Sequence, residues 1–164
     1  MNTEFALALP YPAVDSANSD NDLLRLYDLY AGRFSELTAI CTYSYQSVIA
    51  QNPCVERLVS GIAQVEMFHL KLLAKAIFAL GGDPVYAGRY NYFSGRYADY
   101  EKDVCVFLSN NAASERQTAE NYREAARLSY NRQIKELLER IAMDEEMHVE
   151  LFTCCYNDLC ECRT

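Results

Sequence analysis

The sequence predicts an all-α protein, in which one chain of 164 residues folds into a four-helix bundle. Apolar residues recur at spacings of three and four over long stretches, which is the period of an amphipathic helix. No stretch shows the alternation that is typical of a half-buried strand. With only 6 Gly and 4 Pro, the composition also argues against a disordered or loop-rich chain. This length is enough to bury one hydrophobic core.

The N-terminal part of the chain predicts an arm followed by a long helix. Residues 1–20 show no periodicity and are interpreted as an arm that ends at a capping aspartate, Asp20 or Asp22. From Leu23 to Val48 the apolar residues recur at helical spacings. We therefore expect the first helix to cover this whole stretch.

The second helix is bounded by clear start and stop signals. Asn52 is placed to cap it, and Pro53 suits its first turn, where no backbone N–H is needed. Gly81 follows the last apolar residue of the pattern, as expected just beyond a helix C-terminus. Residues 81–98 are rich in Gly, Tyr and Asn and are interpreted as a long connection.

Two further helices complete the prediction. The third covers about residues 99–130, and the fourth runs from residue 132 past Phe152 after a very short turn. The domain boundaries that follow are an arm over 1–20, a bundle over 21–155 and a Cys-rich tail over 156–164.

Loop lengths predict the topology of the bundle. Short turns after the first and third helices make each helix pair antiparallel. The connection over 81–98 can span at most roughly 60 Å when extended. The preceding helix is only about 42 Å long, so the connection can run the full length of the bundle. We therefore expect one long crossover between helices two and three.

Composition excludes several classes of protein. The chain has 15 Lys and Arg against 23 Asp and Glu, for a formal net charge of −8, which argues against nucleic acid as a partner. No apolar run is long enough for a membrane helix, and the N-terminus lacks the features of a signal peptide. Three of the seven cysteines, Cys41, Cys54 and Cys105, lie in apolar patterns where we expect small core residues. A reduced, cytoplasmic setting is expected.

The chain also contains an imperfect internal repeat. The motif E-x-x-A-I-x-x-Y that begins at Glu36 returns as E-x-x-T-A-x-x-Y at Glu115, 79 residues later. The motif I-A-x-x-E-x-x-H that ends at His69 returns at the same offset and ends at His148. Each half is therefore a predicted helical hairpin that carries one single Glu and one E-x-x-H.

These motifs predict a dinuclear metal site. Glu and His three residues apart lie on one helix face, and all four glutamates fall on apolar stripes that face the core. Four buried carboxylates are costly without compensation, whereas two divalent cations would balance their charge. One Glu from each of two helices and E-x-x-H from each of the other two form a known dinuclear carboxylate site. The predicted ligands are Glu36, Glu66, His69, Glu115, Glu145 and His148.

The alternative is a bundle whose buried His and Glu side chains simply pair with one another. The scarcity of histidine argues against it, because both histidines in the chain have Glu at i−3. Tyr43 and Tyr122 lie two turns beyond the single Glu of each half. They are interpreted equally well as core residues or as donors of hydrogen bonds to ligand carboxylates.

With these motifs in view, the sequence resembles the ferritin-like superfamily, and most closely small rubrerythrin-like proteins that consist of the diiron domain alone. The resemblance covers roughly residues 22–153. It implies a ferritin-like bundle and two iron or manganese ions held by the six residues above, with Glu66 and Glu145 as bridging carboxylates. It also implies an oxidoreductase that acts on peroxide or dioxygen, by peroxide reduction, by catalase-like dismutation with manganese, or by iron oxidation.

The chain departs from rubrerythrin proper in its cysteines. It has no C-x-x-C knuckle of the kind that forms a rubredoxin domain, which delivers electrons in rubrerythrin proper. If the activity needs an electron donor, a separate protein is the expected partner. Its end carries another cluster, which could bind a soft metal, form a redox disulfide, crosslink chains or have no role: Cys154, Cys155, Cys160 and Cys162. Three hypotheses follow: a homodimeric peroxide-active enzyme, an iron-oxidising storage protein, and a metal-stabilised structural protein of the coat type.

Overall fold

The computed structural model describes residues 4–15 and 20–161. Within these residues the chain forms five α-helices and a short 3₁₀ turn over Gly95–Tyr97. The α-helices are α1 Asp20–Ala31, α2 Glu36–Ile49, α3 Pro53–Ala79, α4 Val104–Leu128 and α5 Arg132–Cys160. The described residues contain no strand, only an isolated antiparallel bridge between Ala87 and Tyr92.

The helices pack as a four-helix bundle, in which α1 and α2 together occupy one position. Helices α2 and α3 form one antiparallel hairpin, and α4 and α5 form the other. Residues 80–103 connect the two hairpins. The predicted all-α bundle with one long crossover is confirmed.

The expectation of one continuous first helix is wrong, because the helix is interrupted between Ala31 and Glu36. A side chain at Gly32 would collide with the backbone carbonyl of Asp28, 2.4 Å from the ideal Cβ position. Ser35 then caps the second segment by accepting a hydrogen bond from the backbone N–H of Thr38. Apolar spacing continues across the break, so periodicity alone did not reveal it.

The remaining helix boundaries follow local chemistry. Asn52 caps α3 with Pro53 in the first turn, and Gly81 ends this helix region with a φ of +83°. Asn131 caps α5. Helix α4 starts later than predicted. The side chain of Asp103 accepts hydrogen bonds from the backbone N–H groups of Cys105 and Val106 and thereby sets the N-terminus of this helix.

The apolar core consists of two clusters, one toward each end of the bundle. One contains Leu26, Leu73, Ile77, Leu138 and Ile141. The other contains Phe5, Val59, Ile62, Phe107 and Phe152. Along both α3 and α5, the segment between the two clusters carries the E-x-x-H motifs. The candidate metal ligands therefore lie in the middle of the bundle, shielded at both ends.

The N-terminal arm packs against the bundle in its described part, residues 4–15. Phe5 and Ala6 are buried in the second core cluster. The ring of Phe5 fills the space beside Gly61, where an added Cβ would lie 2.3 Å from a ring carbon. The absence of a side chain at this point of α3 lets the arm approach the helix closely.

The expectation that three of the cysteines are core residues is wrong. Cys54 is exposed, and Cys41 and Cys105 are only half-buried, so none of the three is a fully buried core residue. Cys105 instead forms a disulfide with Cys160 and so joins the start of α4 to the end of α5. Helix α5 continues to Cys160, within the residues predicted as the Cys-rich tail.

The other tail cysteines have different states. Cys154 and Cys155 are free thiols on α5. Cys162 lies outside the described residues. Among the helices that the structure describes, none combines the length and the apolar character needed to cross a membrane.

Candidate metal centre

The structure brings all six sequence-predicted ligands together at the centre of the bundle. Each of the four long segments contributes: α2 and α4 carry one Glu each, and α3 and α5 each carry a Glu and a His one turn apart. Each of the six side chains is at most 2% exposed: Glu36, Glu66, His69, Glu115, Glu145 and His148.

Glu66 and Glu145 lie between the two histidines and face both of them. The Nδ1 atom of His69 is 3.3 Å from Oε2 of Glu66 and 3.1 Å from Oε1 of Glu145. The Nδ1 atom of His148 is 2.9 Å from Oε1 of Glu66 and 3.6 Å from Oε2 of Glu145. Each carboxylate thus presents one oxygen to each histidine, which is the arrangement of a bridging ligand.

The donor atoms form two groups that share these two glutamates. Within each group, one donor atom from every residue lies within 4.8 Å of the others. The first group is Glu36, Glu66, His69 and Glu145, and the second is Glu66, Glu115, Glu145 and His148. Each group offers oxygen donors and one imidazole nitrogen, a set that suits iron or manganese.

Several of these atoms have no aligned hydrogen-bond partner among the described residues. The buried atoms without such a partner are Glu36 Oε2, Glu66 Oε1, Glu145 Oε1 and His148 Nδ1. Buried polar atoms are normally satisfied, and an orphaned one costs about 1–3 kcal/mol. Four such atoms facing one another fit a site that is completed by cations.

The hydrogen bonds of the outer histidine nitrogens determine which nitrogen of each ring carries the proton. Nε2 of His69 lies 3.1 Å from a carboxylate oxygen of Asp144, and Nε2 of His148 lies 2.9 Å from the carbonyl oxygen of Phe5. Because these oxygens can only accept, each Nε2 carries the proton. In a neutral ring, Nδ1 then keeps its lone pair free for a metal ion.

Electrostatics divides the four glutamates into two types. Burial, together with the charges of Glu66 and Glu145, raises the pKa of Glu36 and of Glu115 well above its ordinary value. Burial also tends to raise the pKa of Glu66 and of Glu145, but the close contacts of both carboxylates with the two histidines outweigh it and lower the pKa. Without metal, the two outer carboxyl groups therefore hold their protons more firmly than the two central ones.

The pKa values of the two histidines are also shifted by the centre. Burial lowers the pKa of each imidazole, but the surrounding carboxylates more than compensate, so the pKa of both His69 and His148 is raised well above the ordinary value. In the metal-free chain, protons on these rings and on the outer glutamates supply the positive charge that cations would otherwise bring.

The two tyrosines donate hydrogen bonds to the outer glutamates, each across to the other half of the repeat. The hydroxyl of Tyr43 donates to Glu115, and the hydroxyl of Tyr122 donates to Glu36. Both rings are buried in the core as well. The core and hydrogen-bonding interpretations therefore both apply.

A family model described as Rubrerythrin matches residues 29–156, which include all six candidate ligands. The chain belongs to the rubrerythrin family. A search of curated proteins finds no match.

Two solved structures have the same fold as this rubrerythrin-family chain. They are a crystal structure of KatB, a manganese catalase from Anabaena PCC7120, and a structure of wild-type KatB from Anabaena. Both superpose with a TM-score of 0.84, at 23% and 22% sequence identity. The match covers 93% of this chain and 78% and 79% of the two KatB chains. The ferritin-like fold is thereby confirmed.

Sequence reasoning missed one carboxylate that contacts the centre. Asp144 is fully buried, and besides His69 it contacts Arg140, whose Nη1 is 2.8 Å away. The hydroxyl of Tyr11 donates to Asp144 at 2.5 Å, and the backbone N–H of Leu7 donates to it at 2.8 Å. An Arg and an Asp four residues apart, just before a ligand glutamate, were the signal available in the sequence.

The partners of Asp144 hold it ionised. Burial tends to raise the pKa of Asp144, but its bonds with His69, Tyr11 and the backbone of Leu7 lower it to about 2. Burial and the same aspartate raise the pKa of Tyr11 to about 12, so this hydroxyl keeps its proton. Arg140 lies over the ring of Tyr11 at 4.2 Å and donates to the carbonyl of Leu7. The arm thereby becomes part of the surroundings of His69.

Proposed function

We propose that this chain is a dinuclear iron or manganese protein that reduces or dismutates peroxide. The observation that carries the proposal is the sharing of Glu66 and Glu145 between two donor groups, each of which holds its own glutamate and histidine. Such sharing favours two ions that would be bound side by side by one set of ligands, as in two-metal enzymes.

The six ligands would divide into three roles. Glu36 and His69 would complete one metal position, and Glu115 and His148 the other, with the two central glutamates bridging them. Bound metal of this kind supplies the positive charge and the redox electrons with which a peroxide O–O bond is polarised and cleaved.

The chain itself would orient the ligands. Tyr43 and Tyr122 hold the two outer carboxylates in place through hydrogen bonds from their hydroxyl groups. The raised pKa of each tyrosine, caused by burial and by the nearby carboxylates, keeps its proton on the hydroxyl. The apolar clusters on either side shield the centre from both ends of the bundle.

Metal analysis combined with turnover tests the proposal. The protein is purified without added metal, its iron and manganese are quantified, and peroxide consumption is measured with and without a reductant. Dismutation needs no external electrons, whereas peroxide reduction consumes two electrons from a donor, so the reductant dependence separates the two. The proposal expects close to two ions per chain, and a chain that takes up neither metal would overturn it.

A matched pair of variants tests the ligand assignment. Glu115 is 2% exposed in the centre, whereas Glu120 lies five residues further along the same helix and is exposed. We expect Glu115→Ala to lose one metal ion per chain and most peroxide activity, because a ligand and a balancing charge are removed together. Glu120→Ala should keep both ions and change the unfolding free energy by no more than about 0.5 kcal/mol. The opposite pattern would show that the repeat alignment is wrong.

A further inference from the structure

The internal repeat is broken around the two histidines. His69 and His148 occupy equivalent positions, 79 residues apart, but their outer nitrogens meet different groups. His69 faces the carboxylate of Asp144, and His148 faces the backbone carbonyl of Phe5. The residue that corresponds to Asp144 in the first half is Val65, which cannot accept a hydrogen bond through its side chain.

The environment of His69 is charged and rigid. Asp144 is itself fixed from three sides, by Arg140, by the hydroxyl of Tyr11 and by the backbone of Leu7. A carboxylate that accepts from the outer nitrogen of an imidazole orients the ring and makes the inner nitrogen a stronger donor to metal. A neutral carbonyl, as at His148, fixes the ring but increases its basicity less.

A second asymmetry lies on the opposite side of the centre. A cleft of about 470 Å³ opens between α2 and α4, beside the crossover. Its described lining includes small polar side chains on both helices, such as Thr38, Thr42 and Ser114, and it reaches Glu115 and Tyr43. Within the described part of the chain, neither Glu36 nor His69 is part of this lining. Water and solutes in the cleft therefore approach the centre from the Glu115 side.

From these two asymmetries we infer that the two metal positions are inequivalent. The position of Glu115 and His148 is the exchanging one, which releases and takes up its ion through the cleft. The position of Glu36 and His69 is the retained one, with Asp144 as a positioning residue for His69. This inference rests on the proposed metal pair and adds an order of metal loss to it.

The wild-type protein provides the first test. Protein loaded with two manganese ions per chain is mixed with excess chelator, and the metal that remains bound is followed with time. We expect two phases of equal amplitude whose rates differ at least tenfold. Anomalous scattering from a crystal stopped after the first phase should place the remaining ion between Glu36 and His69. Release in one phase, or a remaining ion at Glu115 and His148, would overturn the inference.

Variants then assign the cause of each phase. Asp144→Asn keeps the shape of the side chain but removes its charge, and loss of such an outer partner typically weakens metal binding about 10–100-fold. We expect loss of the ion at Glu36 and His69 to accelerate by a similar factor, so that the two phases merge or reverse in order, while loss of the other ion changes less than twofold. Tyr11→Phe, which removes one hydrogen bond to Asp144, should accelerate the slow phase to a smaller extent and serves if the first variant does not fold.

A matched pair of variants tests the role of the cleft. Ser114→Leu narrows the cleft and should slow the fast phase several-fold, whereas Ser109→Leu on the exposed surface of the same helix should not. An unchanged fast phase in Ser114→Leu, or an unchanged slow phase in folded Asp144→Asn, would refute the assigned cause. A chain that binds no metal overturns the proposed function itself, whereas two ions that leave at one rate overturn only their inequivalence.

Discussion

Loading the metal-free protein with two divalent cations should release protons, up to four at pH 7. Two would come from the carboxyl groups of Glu36 and Glu115, and two from the imidazolium rings of His69 and His148. In the metal-free fold the pKa of each of these four groups is raised well above its ordinary value, by burial and neighbouring carboxylates for the glutamates and by carboxylates alone for the histidines. A metal ligand must give up its proton, so each of the four protons is displaced.

The pH dependence follows from this count. If each ion displaces two protons, its binding constant rises about 100-fold per pH unit, which corresponds to about 2.7 kcal/mol. The metal-free fold should behave in the opposite way. The stability that it gains from these protons is complete below about pH 4.5 for the glutamates and below about 6.5 for the histidines. This stability is then lost as the pH rises through the raised values.

Calorimetry measures the proton count directly. Titration of metal at pH 7 in two buffers of different ionisation enthalpy gives the number of protons taken up by the buffer per ion bound. The Glu120→Ala variant, which alters an exposed carboxylate on the same helix, should release the same number as wild type. A release of fewer than about two protons for two ions would refute the charge balance derived for the metal-free centre.

Three further outcomes are expected. Gly61→Ala should displace the ring of Phe5 and lower the unfolding free energy by about 1–3 kcal/mol, measured by denaturation, because the added Cβ has no space. Reduction of Cys105–Cys160, which closes a separation of 55 residues, should cost about 2–4 kcal/mol, and an unchanged melting temperature after verified reduction would argue against this pairing. Removing metal with a chelator should lower the melting temperature more at pH 8 than at pH 6. Metal binds more tightly at pH 8, and the protons that stabilise the metal-free fold are bound more weakly there.

The sequence predicted the parts of the molecule that depend on local chemistry and on the repeat. Asn52 and Pro53 start α3 as expected, and the six candidate ligands come together in the centre of the bundle. Both results follow from short-range rules, since capping involves neighbouring residues and i, i+3 spacing places Glu and His on one helix face. The offset of 79 residues then related the two halves without any tertiary information.

The parts that sequence reasoning missed depend on long-range packing. The arm has no periodicity, so nothing in its residues indicated that Phe5 would be buried or that its carbonyl would face His148. The pairing of Cys105 with Cys160 likewise depends on how α4 and α5 align at one end of the bundle. Disulfide connectivity cannot be deduced from cysteine spacing alone.

The arm and the repeat have different consequences for the centre. A repeat of two identical hairpins would give two metal positions with the same surroundings, because every ligand would have a symmetric counterpart. The arm occurs once in the chain, and it contacts one histidine through the carbonyl of Phe5 and the other through Tyr11 and Asp144. Because the arm occurs only once, its contacts with the two halves of the repeat differ. The asymmetry of the centre therefore has one source in the arm, which lies outside the repeat, and another in the replacement of Val65 by Asp144 within it.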